Sequence, residues 1–139
     1  SEYNGKYYTT KYSDLNTGSD PVIVLRTADL LFIEAEAMYV IDSVLYRNEI
    51  IANVNTIRER AGLDPHLSIP PGALWETLDR ERQVEFAFEG KRWFDLVRTG
   101  RAVSEVETVV NPGQTLFPIP LSEILANPYI NMEDQNPGY

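Results

Sequence analysis

The sequence contains no cysteine and only one histidine among its 139 residues. The absence of cysteine excludes disulfide bonds, thiol nucleophiles and thiolate metal sites, although it does not distinguish a reducing compartment from an oxidising one. A single histidine gives little basis for a Ser/His/Asp arrangement, and the isolated glycines form no phosphate-binding loop. The residues therefore indicate no cofactor and no familiar catalytic motif.

Positive charge and long apolar runs are also scarce. Twelve lysines and arginines stand against 21 aspartates and glutamates, which gives a net charge of -9. This balance disfavours binding to nucleic acid or to an anionic membrane surface, because both require a basic patch. Acidic residues interrupt the most apolar stretch, 28–44, and exclude a membrane-spanning helix there. No signal peptide or lipid anchor opens the chain, as expected either of a cytoplasmic protein or of one whose beginning has been removed.

The chain does contain helical periodicity. Its length and its 43% hydrophobic content allow one domain with a core of its own. Apolar residues recur at intervals of three and four over 27–41 and again over 50–61. Asp42 and Ser43 mark a turn between the two stretches. This pattern predicts two antiparallel helices joined by a short connection.

The same reasoning predicts two further helices, over 74–88 and 91–98, separated by a kink or break at Gly90. Beyond Arg101, frequent Pro, Asn and Gly residues predict a long irregular tail whose only helix spans 122–126. We therefore predict an all-α fold in which two helix pairs share a core. A tetratricopeptide-like arrangement of these pairs is compatible with the pattern.

Two carboxylates fall on the predicted inner face of the third helix. Glu81 and Glu85 continue an apolar stripe that includes Leu74, Leu78 and Phe88 in steps of three and four. An unpaired carboxylate is costly to bury, so cations must meet these two. We therefore predict a structural ion network inside the helical core. Its predicted members are Arg58, Glu81, Arg82, Glu85, Glu89, Arg92, Asp95 and Arg98.

The alternative interpretation is a catalytic pair, because two acids on one helix face can approach to the separation found in glycosidases. The nearby arginines favour the structural interpretation, since a row of like charges needs cations to offset its repulsion. A metal site is not predicted, because a carboxylate site on helices usually adds a histidine three residues after a glutamate. The one histidine, His66, lies in a loop beside proline and is predicted to be a surface residue.

Four aromatic side chains are candidates for stacking on the C–H faces of sugar rings. They are Trp75, Tyr7, Tyr8 and Tyr12. The tryptophan lies near a loop at a helix start, and the tyrosines lie in a polar segment where exposed aromatic rings often mark binding. For the tyrosines, packing against a missing part of the protein is the favoured alternative. Trp93 and Phe94, inside the Glu/Arg stretch, are predicted to pack in the core.

Four segments of the chain form a specific series. Residues 25–37 are an arginine-led helix that ends in Ala-Glu-Ala, and residues 53–63 end in Arg-Ala-Gly-Leu. Residues 81–98 carry the pairs Glu-Arg, Glu-Gly and Asp-Leu, and residues 118–139 run from Pro-Ile-Pro to the terminal Gln-Asn-Pro-Gly-Tyr. Together these segments cover nearly the whole chain, which resembles the C-terminal region of the SusD/RagB family of outer-membrane nutrient-binding lipoproteins.

This resemblance implies properties that the residues alone do not. Members of the family are much longer and mostly helical, with tetratricopeptide-like helix pairs and a lipidated N-terminal cysteine. Their partner is a TonB-dependent transporter of the SusC type in the outer membrane of Bacteroidetes. The chain would then be the last third of such a protein. We expect an irregular lead-in over residues 1–21, which continues a missing N-terminal part, and a helical domain over residues 22–139.

The resemblance further implies a surface-exposed lipoprotein that is not an enzyme and that binds a glycan or another oligomeric nutrient. It would be held to the membrane only through a lipid anchor absent from this chain. The alternative is a helical scaffold that contacts the transporter without binding nutrient itself. Ligand contacts in the family fall largely outside this region, so the resemblance assigns no binding site here, and the identity of the nutrient stays open.

Overall fold

The computed structural model describes residues 2–7, 9–14 and 16–139. These residues form one short hairpin and six α-helices, which confirms the predicted all-α class. The elements are β1 (Glu2–Tyr3), β2 (Lys6–Tyr7), α1 (Thr27–Asp42), α2 (Arg47–Arg60), α3 (Leu74–Glu85), α4 (Arg92–Arg98), α5 (Ala102–Glu105) and α6 (Leu121–Ala126). One compact unit ends at Gly90, and Lys91–Tyr139 form a second. None of the described helices combines the length and apolar character that crossing a membrane requires.

The hairpin lies in the segment for which an irregular lead-in is predicted. Strands β1 and β2 pair antiparallel, with Glu2 opposite Tyr7. The two residues between the strands, Asn4 and Gly5, both have positive φ, 50° and 71°. An Asn-Gly turn with left-handed backbone at both positions matches the twist of a hairpin. The Asn-Gly pair between tyrosine-containing runs was therefore the sequence signal for this element.

Helices α1 and α2 form the hairpin that the periodicity predicts, joined by four residues. This pairing is consistent with the expected tetratricopeptide-like arrangement. At the start of α1, the Asp29 carboxylate accepts a hydrogen bond from the Arg26 backbone N–H at 3.0 Å. After α1, the Asp42 carboxylate accepts hydrogen bonds from the backbone N–H groups of Val44 and Leu45. These side chains satisfy backbone donors that the helix and the turn leave free, which sets both boundaries of α1.

The core of the first unit lies among α1, α2 and α3. Its most deeply buried large side chains are Phe32, Ile50, Val54, Leu74 and Leu78. The Phe32 ring meets the Phe86 ring edge to face, with the ring centroids 5.5 Å apart. This geometry adds a favourable quadrupole contact to the burial of two large apolar surfaces.

The buried stripe of α3 differs from the predicted one. It runs through Leu74, Leu78 and Arg82 to Phe86, just beyond the helix, in steps of four. Phe88, which the sequence places on the inner face, is 69% exposed and has a φ of 67°. The prediction was wrong at this position because α3 ends at Glu85 and the helical spacing does not continue into the following turn. The break predicted at Gly90 thus begins four residues earlier, at Phe86.

The second unit is more regular than the predicted tail. Besides α6, it contains the single turn α5 and the 3-10 segments Pro112–Thr115 and Met132–Asp134, so the prediction of one helix beyond Arg101 was wrong. These elements are too short to show a helical period in the sequence, and local side-chain hydrogen bonds define them. The side chain of Asn111, for example, accepts a hydrogen bond from the Gln114 backbone N–H.

The predicted core packing of Trp93 and Phe94 is not observed for Phe94, which is 64% exposed. Trp93 is partly exposed. On α4, Asp95 and Leu96 are the buried residues. Because neighbouring helical positions point in directions about 100° apart, burial of 95 and 96 turns 94 outward.

Side chains near the C-terminus tie two stretches of the second unit together. The Gln135 amide accepts a hydrogen bond from the Ile119 N–H at 2.7 Å and donates one to the Ile119 carbonyl at 2.9 Å. The Tyr139 hydroxyl donates to the Leu116 carbonyl at 2.8 Å. Gly113 lies directly against the Pro137 carbonyl, which leaves no space for a Cβ atom. Close backbone approach thus explains a glycine at 113.

We expect Gly113→Ala to loosen this C-terminal contact, because the added methyl group collides with backbone atoms of Pro137. Overpacking of this kind costs about 1–3 kcal/mol. Carboxypeptidase digestion should therefore release C-terminal residues several-fold faster than from the parent. Gly72→Ala is the matched control, because its Cβ atom meets open space. Equal digestion of the Gly113→Ala variant and the parent would contradict the assigned contact.

Candidate functional site

The candidate site is the group of charged side chains around the C-terminal end of α3, in the first unit. We call it the acid–arginine cluster. It comprises the carboxylates Glu81, Glu85 and Glu89 and the cations Lys11, Arg26, Arg58 and Arg60. Glu81 and Glu85 lie one helical turn apart on α3, whereas Glu89 lies in the turn that follows. The end of the helix thus brings three like charges into one region, which their cations must compensate.

The most enclosed member of the cluster is Glu89, whose side chain is 1% exposed. Arg26 reaches both of its carboxylate oxygens, through Nε at 3.2 Å and Nη2 at 2.9 Å. Lys11 donates a third hydrogen bond to Glu89, at 2.7 Å. A forked arginine contact supported by a second cation is the arrangement in which a buried carboxylate is well compensated.

Glu85 shares these cations through both its side chain and its backbone. Arg26 forms an ion pair with its carboxylate, and one nitrogen of Arg60 on α2 contacts both carboxylate oxygens at 2.7 Å. Arg26 and Lys11 each donate to its backbone carbonyl, at 2.8 Å. That carbonyl belongs to the last turn of α3, where cations are favourable because helix carbonyls point out unpaired.

Glu81 forms a separate contact group with residues of α2 and the loop after it. Arg58 donates to its carboxylate, and the His66 ring nitrogen Nε2 lies 3.1 Å from the same oxygen. The backbone of His66 is also held, since Asn55 accepts from its N–H at 2.8 Å and donates to its carbonyl at 3.0 Å. His66 is therefore half-buried and fixed in place, whereas the sequence places it on the surface.

Arg82 is the buried cation of α3, at 9% exposure. Its guanidinium lies 5.0 Å from the centre of the Phe86 ring and 5.9 Å from that of Phe32, and its Nε is 3.7 Å from a Glu36 oxygen. Arg26 lies over the Phe86 ring at 4.7 Å. Arg26 and Arg82 thus pack on aromatic rings of the core and also form ion pairs with carboxylates. A planar guanidinium can do both, because its face stacks on a ring while its edge donates hydrogen bonds.

The remaining predicted members of the network lie in the second unit. There, Arg92 pairs with Glu105 at 2.7 Å, and Arg98 pairs with Asp95 at 2.9 Å. Arg101, which the sequence analysis did not single out, also contacts Glu105, at 2.8 Å. Asp95 is buried, whereas the Arg98 side chain is 45% exposed. The eight predicted residues are thus divided between two units, five before Gly90 and three after it.

Sequence reasoning missed Arg26 and Lys11, which hold the most buried carboxylate. A signal for Arg26 was present, because it directly precedes α1. A cation is unfavourable at a helix N-terminus, so its presence there indicates a carboxylate supplied from elsewhere. Lys11 lies in the irregular segment before α1, 78 residues away from Glu89 in sequence. No spacing rule connects positions so far apart.

The aromatic candidates occupy different environments. Trp75 is half-buried at the start of α3, packs against the core, and has its ring centre 5.2 Å from that of Tyr39. Tyr7 is 85% exposed on β2, and Tyr12 is partly exposed. Tyr8 lies outside the described residues. Among the described candidates, Tyr7 therefore presents the most accessible ring, and Trp75 already has an aromatic partner.

The charges of the cluster limit its chemistry. Burial raises the pKa of Glu89, but hydrogen bonds from Arg26 and Lys11, together with their charges, outweigh this effect and hold the pKa below its ordinary value of 4.5. Glu89 is therefore ionised at neutral pH and has no proton to give as a general acid.

An open cleft of about 400 Å³ adjoins the cluster. Its charged lining residues already bind one another; they are Lys11, Arg26, Arg60, Glu85 and Glu89. Within the described ranges, no three His, Cys, Asp or Glu side chains are grouped to hold a metal ion.

The lowered pKa of Glu89 predicts a pH-dependent contribution to stability. A carboxylate whose pKa is lower in the folded state stabilises the fold above its unfolded pKa, and this contribution is lost as the pH falls through the folded value. We therefore expect Glu89→Gln to be less stable than the parent in urea at pH 7. The difference should shrink as the pH is lowered below about 4.5. An equal difference at pH 7 and pH 3 would contradict this assignment.

Comparison with known proteins places the whole described architecture in one family. The model of the SusD family matches residues 2–139. Two curated proteins of Formosa agariphila are similar to the chain. SusD-like protein P2 is 36% identical over 96% of this chain and 30% of its own length, and SusD-like protein P38 is 31% identical over 85% of this chain and 24% of its own length. The chain thus spans less than a third of either relative. No solved structure gives a significant match.

Proposed function

Because the chain belongs to the SusD family, we propose that it is part of a cell-surface protein that binds an oligomeric nutrient, such as a glycan. This protein passes the nutrient to a TonB-dependent transporter of the SusC type in the outer membrane, where a lipid anchor outside this chain holds it. The observation that carries the proposal is the family match over residues 2–139. The resemblance of both relatives, each described as SusD-like, supports it.

Within such a protein, the role of this chain is to provide a rigid scaffold. The carboxylates of the acid–arginine cluster face arginine and lysine side chains, and the Glu89 side chain is only 1% exposed. These contacts join α2, α3 and the segment that precedes α1, which includes Lys11 and Arg26. Binding and transfer of a nutrient require no covalent step, so the protein acts without enzymatic chemistry.

If this chain contacts a sugar directly, its exposed aromatic rings are the side chains that would stack on it. Tyr7 is 85% exposed, whereas Trp75 packs on Tyr39. A free aromatic face can stack on the apolar face of a sugar ring, but a ring that is already packed would first have to be uncovered. Tyr7 is therefore the first residue to test, with Trp75 and Tyr12 as weaker candidates.

A helical scaffold that contacts the transporter without binding nutrient is the second candidate function. Exposed apolar side chains of the second unit favour it, notably Phe117 at 74%, Leu125 at 77% and Tyr129 at 90%. Aromatic residues such as Phe and Tyr are enriched at protein interfaces, and the centres of interfaces are more apolar than the rest of the surface. The two functions place their contacts on different residues and can therefore be separated.

Calorimetric titration with a panel of oligosaccharides tests the proposal. The panel is titrated into this chain and into the longer polypeptide that carries it. Binding by the longer polypeptide alone would assign the scaffold role to this chain, and Tyr7→Ala would then leave binding unchanged. If the chain itself binds, Tyr7→Ala should weaken binding at least tenfold, and the equally exposed control Tyr129→Ala should not. Binding by neither would contradict the proposal, as would release of reducing ends from the panel.

A further inference from the structure

The open cleft beside the acid–arginine cluster has an excess of positive charge. Its volume is about 400 Å³, and its charged lining consists of three cations and two carboxylates. The chain as a whole carries a net charge of -9, so the cleft contrasts with an acidic molecule. A cleft lined by charge of one sign concentrates ligands of the opposite sign. The lining therefore favours an anionic ligand.

The charges of the cleft are also unequally exposed. The carboxylate side chains are 12% exposed at Glu85 and 1% exposed at Glu89. The cations are more exposed, at 22% for Arg26, 34% for Lys11 and 57% for Arg60. A ligand that enters the cleft thus meets cations more than carboxylates.

Arg60 has hydrogen-bond donors left for such a ligand. Its Nη2 contacts both oxygens of Glu85, and its Nε and Nη1 groups donate to no residue that the structure describes. A guanidinium carries five N–H donors in a planar fork that matches the two oxygens of a carboxylate. Arg60 can therefore hold Glu85 through one nitrogen and bind a second carboxylate through the others.

The size and the walls of the cleft indicate what carries that second carboxylate. Its uncharged lining consists of the aliphatic side chains of Ile23 and Val84. Ligand pockets usually have volumes of about 300–1,000 Å³, so this cleft is at the small end and fits about one or two sugar rings. Aliphatic walls pack on the C–H groups of such a ring. A sugar acid presents these C–H groups together with a carboxylate.

We propose that this cleft binds a uronate unit of an acidic oligosaccharide, with the sugar carboxylate on Arg60 and the ring against Ile23 and Val84. Lys11 is a second contact, because its ammonium has three donors and uses two of them within the cluster. The choice of a sugar rests on the proposed function, and the choice of a carboxylate rests on the charges of the cleft. The nutrient is thereby narrowed to glycans that contain uronic acids.

Calorimetric titration with digalacturonate and with its dimethyl ester tests the charge preference. The two probes are alike in shape, but the ester carries no charge. The longer polypeptide that carries this chain should bind digalacturonate at least about tenfold more tightly, because charge-assisted hydrogen bonds are roughly twice as strong as neutral ones. In Arg60→Gln the preference should fall to about twofold or less, since the fork is lost.

Arg98→Gln is the matched control. It removes the same charge from another partly exposed arginine that pairs with a carboxylate, and Arg98 does not line the cleft. This variant should keep the full preference. A variant that is partly unfolded binds both probes less, in the same proportion, so the ratio of the two affinities reports on the Arg60 contact and not on folding.

Equal binding of both probes by the parent would overturn the inference, as would an Arg60→Gln variant that keeps the preference. Tighter binding of the peptide carboxylate of N-acetylglycylglycine than of digalacturonate would assign the cleft to peptides, and would also overturn it. If neutral oligosaccharides bind and digalacturonate does not, the uronate site is refuted and the proposed function stands. If the longer polypeptide binds no oligosaccharide of either kind, the proposed function is refuted as well.

Discussion

Replacing Arg26 with glutamine is expected to lower the free energy of unfolding by about 3 kcal/mol. Removing one partner of a buried ion pair usually costs about 3–5 kcal/mol. Arg26 binds both oxygens of Glu89, whose side chain is 1% exposed, and also contacts the carboxylate and the backbone carbonyl of Glu85. Without Arg26, Glu89 keeps only the hydrogen bond from Lys11 among its two cation contacts. Urea denaturation at pH 7 measures the loss.

Arg60→Gln is the matched control for this prediction. Arg60 binds the same carboxylate of Glu85, but its side chain is 57% exposed. Solvent screens such a pair, and exposed ion pairs contribute about 1 kcal/mol or less. The two variants remove the same charge from the same cluster and differ in the burial of the contact. Similar losses from both would show that burial of the Arg26 contacts has been overestimated.

Phe86→Ala is expected to destabilise the first unit by about 3–4 kcal/mol, the usual cost of removing a buried phenylalanine. The Phe86 side chain is 4% exposed and meets Phe32 edge to face. Arg26 and Arg82 both lie over its ring, at 4.7 and 5.0 Å. The substitution therefore removes core packing and two cation–π contacts at once. Thermal and urea unfolding should both report the loss.

Phe88→Ala provides the comparison, because the ring of Phe88 is 69% exposed only two residues away. We expect it to change the free energy of unfolding by less than about 0.5 kcal/mol, as is usual for exposed positions. This pair of variants also distinguishes the observed stripe of α3 from the one that periodicity predicts. If Phe88→Ala were the more damaging substitution, the predicted stripe would be correct and the observed one wrong.

The contrast between Phe86 and Phe88 shows what periodicity can and cannot predict. Long helices such as α1 and α2 repeat their apolar spacing several times, so their positions follow from the sequence. The end of α3 depends instead on where the backbone unwinds. The helix ends three residues before Phe88, which is therefore exposed although the periodicity places it on the inner face. Periodicity also missed the one-turn elements of the second unit, which local hydrogen bonds such as that of Asn111 define.

For the acid–arginine cluster too, the sequence predicts some features and not others. That Glu81 and Glu85 need cations follows from their place on a half-buried helix face, and Arg58 was a natural partner because it lies on a neighbouring helix. The partners of Glu89 could not be found in this way, because Arg26 and Lys11 are more than 60 residues away in sequence. Only the tertiary fold brings them to the end of α3. The sequence therefore predicted the requirement for cations better than their identity.

The contacts of the acid–arginine cluster indicate that the most distinctive stretch of the chain stabilises the fold. The stretch that contains Glu81, Glu85 and Glu89 is a distinctive part of the chain, yet its carboxylates are engaged with cations from three other segments. Under the proposed function, substitutions in this stretch act on nutrient binding through stability alone. Substitutions of exposed aromatic residues such as Tyr7 act without a loss of stability.

A double-mutant cycle between Arg26 and Glu89 tests the central claim, that the acid–arginine cluster holds the fold together. Arg26→Gln, Glu89→Gln and the double variant are compared with the parent by urea denaturation at pH 7. Residues joined within a buried ion pair show interaction energies of about 0.5–3 kcal/mol. We predict about 2 kcal/mol for this pair, with the double variant more stable than the sum of the single losses implies. Losses that add within about 0.3 kcal/mol would contradict the claim.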